Sequence, residues 1–241
     1  ASVPVPDLFA AGLARGWTTY DGSRLEDDLT LEADIAIVGS GAGGATSAEV
    51  LSTAGFKVLL IEEGPLHTSS DFDMQEARAY RSLYQEAIGR TSKDGAITIL
   101  QGRAVGGTTL VNWTSSFRTP PQTLQHWASE HGVSGLSVEA LQPWFERIEQ
   151  RLGIAPWAVP PNANNAVLQR GCESLGQHWA VIPRNVRGCW NLGYCGMGCP
   201  TNAKQSMLVT SIPALLDKGG ALLYLARAER LLMQGERVVG M

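Results

Sequence analysis

Residues 33–64 read ADIAIVGSGAGGATSAEVLSTAGFKVLLIEEG, and the order of residue types in this stretch decides the fold. The apolar run at 33–38 predicts a short strand buried on both faces, and the run at 57–62 predicts a second of the same kind. Between them, residues 45–54 carry a helical pattern that Gly55 ends, as glycine just past a last turn commonly does. Strand, helix and strand at this spacing predict a right-handed βαβ unit with parallel strands. At the strand-to-helix turn, Gly39, Gly41 and Gly44 satisfy G-x-G-x-x-G, and an acid, Glu62, ends the second strand 23 positions after Gly39. Together these parts form the dinucleotide-binding fingerprint.

Each part has a physical task. Gly39 permits the tight turn, a bare Gly41 lets a pyrophosphate approach the backbone, and Gly44 lets the helix sit close to the sheet. The whole turn (Gly39, Ser40, Gly41, Ala42, Gly43, Gly44) opens a helix whose N-terminal N–H groups and dipole favour phosphate. Glu62 is placed to accept ribose hydroxyls. An acid there fits NAD or FAD and disfavours NADP, whose 2′-phosphate it would repel.

Further along, the apolar run at 96–101 (AITILQ) predicts a strand, and residues 102–112 follow it as GRAVGGTTLVN. That stretch predicts another turn into a helix, with Gly106-Gly107 again allowing close backbone approach. Taken alone it is equally a packing turn.

Together the two motifs resemble the glucose–methanol–choline (GMC) family of FAD-dependent oxidoreductases. Members carry GxGxxG, then E-x-G at the second strand, then G-R-x-x-G-G-[ST]-[ST]-x-x-N. Here Glu62-Glu63-Gly64 and residues 102–112 stand in matching order. The resemblance implies FAD as cofactor, with Glu62, Glu63, Arg103, Gly106, Gly107, Thr108 and Asn112 beside the first turn as its binding residues. Some members attach FAD through a histidine just before the asparagine; Val111 stands there in this chain, which implies non-covalent FAD. The implied reaction is oxidation of a CH–OH group, of a long-chain alcohol or a sugar, by hydride transfer to flavin. Implied partners are that substrate, an electron acceptor (cytochrome, quinone or oxygen), and a C-terminal half of the same enzyme. The family's catalytic histidine lies in that half, so no catalytic residue is assigned here. Two other readings stay open: a nicotinamide-dependent Rossmann reductase, and a non-catalytic nucleotide-binding or electron-carrier fragment.

The expected fold class is therefore α/β, a Rossmann-like FAD-binding domain of parallel sheet and flanking helices with a helical and loop insertion, incomplete at its C-terminal end. The expected divisions are a lead-in at 1–32, a first part of the FAD domain at 33–115, the insertion with a Cys-rich loop at 116–201, and the continued FAD domain at 202–241. Helices are expected at 71–88, 122–131, 137–152 with Ser137 as N-cap, 166–175 and 202–218, the last interrupted near Pro213. The stretch 153–165 is expected as a loop, and 228–233 with 236–241 as a hairpin around Gln234-Gly235.

Cys189, Cys195 and Cys199 crowd into eleven residues of a glycine-dense loop, with Cys172 apart. Three thiolates on such a loop can converge on one metal centre. The spacing resembles cluster-bearing FAD sugar dehydrogenases and names a [3Fe–4S] centre, whereas GYCGMGCPTNAKQS looks more like the Cys segment of long-chain alcohol oxidases, where no cluster is implied. A disulfide with a spare thiol, three reduced structural cysteines, and zinc with a fourth ligand remain alternatives. His67, His126, His131 and His178 share no metal-type spacing, and Arg118 and Trp113, just past the second motif, are expected to pack.

Composition agrees with this frame. Glycine is 27 of 241 residues, about 11% against a usual ~7%, and much of the surplus lies in the two turns and the Cys loop. Nineteen basic against 23 acidic residues give a net charge of −4, without the basic patch that phosphate neutralisation in nucleic acid demands. No apolar run approaches the ~18 residues of a membrane helix. The expected location is cytoplasmic.

Overall fold

The structure is a computed structural model that describes residues 5–241, so the first four residues of the expected lead-in lie outside it. In chain order the first elements are α1 (Leu8–Ala14), β1 (Thr18–Asp21), β2 (Ile35–Val38), α2 (Ala42–Thr53), β3 (Val58–Ile61) and α3 (Glu76–Leu83). Then come α4 (Pro121–His131), α5 (Val138–Leu152), β4 (Ile154–Pro156), α6 (Ala163–Ser174) and β5 (Pro183–Asn185). The last are α7 (Ser211–Asp217), β6 (Ala221–Tyr224) and the antiparallel hairpin β7 (Leu232–Gln234) with β8 (Arg237–Gly240). They fall into two compact units, one of Thr114–Arg187 and one of the described residues on either side of it.

The larger unit is built on a four-stranded, all-parallel sheet in the order β1-β6-β3-β2. Strand β3, VLLI, is buried along its whole length because β6 and β2 flank it and α2 covers it. Helix α2 turns Ala45, Ala48 and Ser52 inward, three positions on one face, and packs against α7, whose Ile212 and Leu215 are fully buried. Strand β2 differs from expectation. It alternates, because Ile37 faces α2 whereas Val38, on the other face, is 57% exposed. Within the expected lead-in, the polar stretch TTYD forms β1 and pairs in register with β6, Thr18 with Ala221 through Asp21 with Tyr224.

Three expected elements are shorter or absent for tertiary reasons. Within 71–88 only Glu76–Leu83 is α-helical, since Tyr84 turns extended to bridge Gly102. Residues 96–101 form no strand: Thr98 bridges back to Thr91 around the Asp94-Gly95 turn, and Ile97 and Leu100 stay exposed. Within 202–218 only α7 is helical, with Pro213 in its first turn, where no backbone N–H is required.

The second unit holds α4, α5, α6 and the two-stranded antiparallel sheet β4–β5, the strand β4 replacing the start of the loop expected at 153–165. Ser137 caps α5 as expected, its hydroxyl accepting the Ala140 N–H at 3.1 Å. Arg118 packs within this unit in a bidentate pair with Glu149, at 2.6 and 2.7 Å. The unit ends at Arg187, so the Cys-rich loop belongs with the sheet and not with the insertion as expected. Its ties to residues 110–112, described below, give the reason. Among the described residues no helix is long and apolar enough to cross a membrane.

Candidate functional site

Parallel strands deliver their C-terminal ends to one edge of a sheet, and that edge is where ligands of open α/β sheets bind. Both glycine turns stand there. Gly39 takes φ +90 as the chain leaves β2, and its N–H bonds the Ile61 carbonyl at 2.7 Å. A Cβ on Gly44 would lie 1.9 Å from the Gly39 carbonyl oxygen, so this position admits glycine alone. By contrast a Cβ on Gly41 would meet nothing within 4 Å, and Gly41 caps α2 without any side-chain hydrogen bond. The start of α2 thus keeps open N–H groups beside a bare backbone, the cradle a pyrophosphate requires.

The second turn lies directly against the first. Gly106 is left-handed at φ +99, Gly107 at φ +54, and a Cβ on Gly107 would come within 2.8 Å of Gly41 Cα. The helix expected after this turn is a short 3-10 turn, Gly107–Leu110. Buried Ser40 ties the two together. Its hydroxyl donates to Glu62 Oε2 at 2.6 Å and accepts the Gly106 N–H at 2.9 Å. Glu62 is also buried, accepting the Ser40 N–H on Oε2 and the Gly64 N–H on Oε1, each at 2.9 Å. A carboxylate offers about four acceptor positions, so one remains for a ribose hydroxyl. Glu63 and Arg103 form a half-exposed ion pair at 3.7 Å. Thr108 is exposed at the turn with its hydroxyl accepting the Gly102 N–H, and Asn112 follows, half-buried.

Residues beyond the sequence-derived set complete the support. Lys204, 2% exposed, donates from Nζ to the carbonyls of Leu110, Asn112 and Cys195 at 2.5, 2.9 and 2.7 Å. The Tyr84 hydroxyl donates to the Gly196 carbonyl at 2.7 Å and reaches that of Val111 at 3.4 Å. Burial pushes the Tyr84 phenol up to about 12, with the neighbouring Tyr80 adding to it. Gly196 lies under the Trp113 indole, where a Cβ would sit 3.0 Å from the ring. Nothing in residue type or spacing distinguished these positions, since Lys is rarely buried and its partners are backbone atoms from distant segments.

The cysteines do not form the expected cluster site. None is disulfide-bonded, and among the described residues no group of three or more Cys, His, Asp or Glu side chains is placed to hold a metal ion. Cys189 accepts the Asn191 N–H, whereas Cys199 accepts the Lys204 N–H and meets the Thr201 hydroxyl, both at 3.4 Å. Burial works to raise the Cys199 thiol, but the Thr201 hydroxyl and the N–H groups of Lys204, Thr201 and Ala203 outweigh it and hold it below its ordinary value. The donor set therefore does not fit a [3Fe–4S] centre. A cavity of about 670 Å³ lies at the opposite, N-terminal ends of the strands, lined by Thr18, Glu32, Lys57 and Ala221 among others. It touches neither glycine turn, which form an open cradle rather than a hole.

Sheet order, turn geometry and the buried acid define a Rossmann-like dinucleotide-binding domain with a second glycine turn joined to the first. The comparisons take this a step further. The GMC oxidoreductase family profile matches residues 80–241, and an NAD(P)-binding Rossmann-like profile matches residues 37–67. The chain belongs to the GMC oxidoreductases, a family for which FAD is the expected cofactor. It is 34% identical over 203 residues to a long-chain-alcohol oxidase of Arabidopsis thaliana, covering 84% of this chain and 27% of that protein. It is also 34% identical to an uncharacterized GMC-type oxidoreductase of Mycobacterium tuberculosis, over 97% of this chain and 39% of the other. Among solved structures, pyridoxine 4-oxidase from Mesorbium loti shares the fold at a TM-score of 0.62 and 20% identity, over 86% of this chain and 45% of that one. The chain thus spans roughly a quarter to two fifths of the length of these curated relatives.

Proposed function

We propose that this chain holds FAD for an enzyme that oxidises CH–OH groups, with long-chain primary alcohols as the substrate class and oxygen as electron acceptor. The observation that carries the cofactor reading is the contact of the two glycine turns, Gly107 against Gly41, closed behind by the Ser40 hydroxyl between Glu62 and Gly106. One extended dinucleotide can lie across both turns without leaving the cradle. Bound FAD supplies the hydride acceptor. The residues of this chain bind and orient it. The open N–H groups at the start of α2 would take the pyrophosphate, and Glu62 would offer its remaining acceptor position to a ribose hydroxyl. The backbone of Gly106 and Gly107, with Thr108 and Asn112, would hold the flavin end.

The substrate class is supported by identities of 34% and 30% to two long-chain-alcohol oxidases of Arabidopsis thaliana. The misfit of the cysteines to a cluster removes the feature that favoured a sugar. The test is an anaerobic titration of the flavin-loaded protein with primary alcohols of increasing chain length and with aldoses. Bleaching of the visible flavin bands by the long-chain alcohols is expected. Bleaching by aldoses and not by alcohols would refute the substrate class, and a folded protein that takes up no FAD would refute the cofactor.

A further inference from the structure

The Cys-rich loop and the segment that ends the second glycine turn meet through five backbone carbonyls. Those of Leu110, Asn112 and Cys195 surround Lys204 Nζ, and those of Val111 and Gly196 share the Tyr84 hydroxyl. Three carbonyl oxygens around one nitrogen require three N–H donors, so Lys204 is the ammonium ion and not the amine. Leu110 is the last residue of the 3-10 turn, and its carbonyl has no place in the turn's own hydrogen bonding. The Lys204 ammonium therefore caps the flavin-side turn from behind, in a place from which water is excluded.

We propose that Lys204 and Tyr84 are positioning residues for the cofactor. They lock residues 110–112 to the Cys-rich loop, and Lys204 adds a buried positive charge beside the flavin end of the site. The proposal rests on the reading that FAD occupies the two glycine turns. It also gives the Cys-rich loop a role that needs no metal: two of its carbonyls complete the brace behind Asn112. A buried cation near a flavin favours the reduced, more negative state, because Coulomb attraction is little screened away from water. A neutral phenol holding the same peptides does not.

The two residues are separated by Lys204→Met and Tyr84→Phe, each measured for apo-protein melting, FAD dissociation constant and flavin reduction potential. Tyr84→Phe is expected to fold, bind FAD about threefold to tenfold more weakly, and keep the wild-type potential. Lys204→Met is expected to weaken FAD binding at least tenfold. It should also shift the two-electron equilibrium toward oxidised flavin by about tenfold, which is ~30 mV. Wild-type affinity and potential in a folded Lys204→Met protein overturn the proposal. If Lys204→Met does not fold, wild-type FAD affinity in Tyr84→Phe overturns it. A wild-type protein that folds but takes up no FAD refutes the cofactor reading itself, which keeps the two failures distinct.

Discussion

Replacing Ser40 with alanine removes one hydroxyl and breaks two contacts at once. The hydroxyl donates to the Glu62 carboxylate at 2.6 Å and accepts the Gly106 N–H at 2.9 Å, and Ser40 is fully buried. A hydrogen bond to a charged group is worth ~1.5–3 kcal/mol, and a buried donor left without a partner costs ~1–3 kcal/mol. Glu62 keeps the N–H groups of Ser40 and Gly64, so its carboxylate is not stranded. Local relaxation recovers part of the loss, and a net destabilisation of about 3 kcal/mol is expected, a large share of the ~5–15 kcal/mol of a typical domain. Urea unfolding of the apo-protein measures it as a lower midpoint at unchanged slope. A cycle with Glu62→Gln apportions it, because residues joined by one hydrogen bond couple by ~0.5–3 kcal/mol whereas independent ones add. A loss under about 1 kcal/mol, or strict additivity with Glu62→Gln, would show that the hydroxyl does not tie the turns together.

Three further outcomes follow from the same geometry. Gly44→Ala places a Cβ 1.9 Å from the Gly39 carbonyl, backbone that cannot swing away; a loss at or above the ~1–3 kcal/mol typical of overpacking is expected. Gly43→Ala in the same helix meets nothing within 4 Å and should be neutral or slightly stabilising; equal thermal shifts for the two variants would contradict the packing. Cys199 should react with iodoacetamide with a pH midpoint below that of a free cysteine, about 8.5, as its thiolate accepts several N–H and O–H bonds; a midpoint at or above that of a free cysteine, read by mass spectrometry, defeats the assignment. Tyr84 ionises at about 12 folded against 10.0 unfolded. Its contribution is fully present below pH 10 and is lost as pH rises toward 12, because the unfolded chain releases the proton first. Melting temperatures over that window should therefore fall more steeply in the wild type than in Tyr84→Phe, and parallel curves would count against it.

How much of this was legible depended on sequence distance. Residues 33–64 could be read because every constraint there acts within one turn or between adjacent elements. A continuous apolar run makes β3, a glycine is forced at 44 by the backbone of 39, and Gly55 ends α2 at φ +95. The Ser40–Glu62–Gly106 contact was half visible: the acid stood at its expected place, but Ser40 and Gly106 are 66 positions apart and no periodicity pairs them. Strand β1 escaped because TTYD is polar and short, and only its parallel pairing with β6 makes it a strand. The run AITILQ erred the other way. It has strand composition yet no partner strand among the described residues, and it closes locally on the Ser92 and Asp94 side chains.

The Cys-rich loop failed as a metal site for a reason that also explains what it does. A cluster reading assumes that the sulfurs converge, since spacing in a flexible loop permits convergence without requiring it. In the folded chain the groups that converge are carbonyl oxygens, and their partners are an ammonium and a phenol. Cys199 accepts an N–H from Lys204, and Cys189 from Asn191, so those sulfurs serve as local acceptors that shape the loop. The shape delivers the Cys195 and Gly196 carbonyls to the buried clamp. Glycine at 196 suits the same end, because a Cβ there would press on the Trp113 indole at 3.0 Å. Convergence in this loop is therefore a property of its backbone, with the Cys195 and Gly196 carbonyls brought to Lys204 and Tyr84 while the sulfurs bond locally.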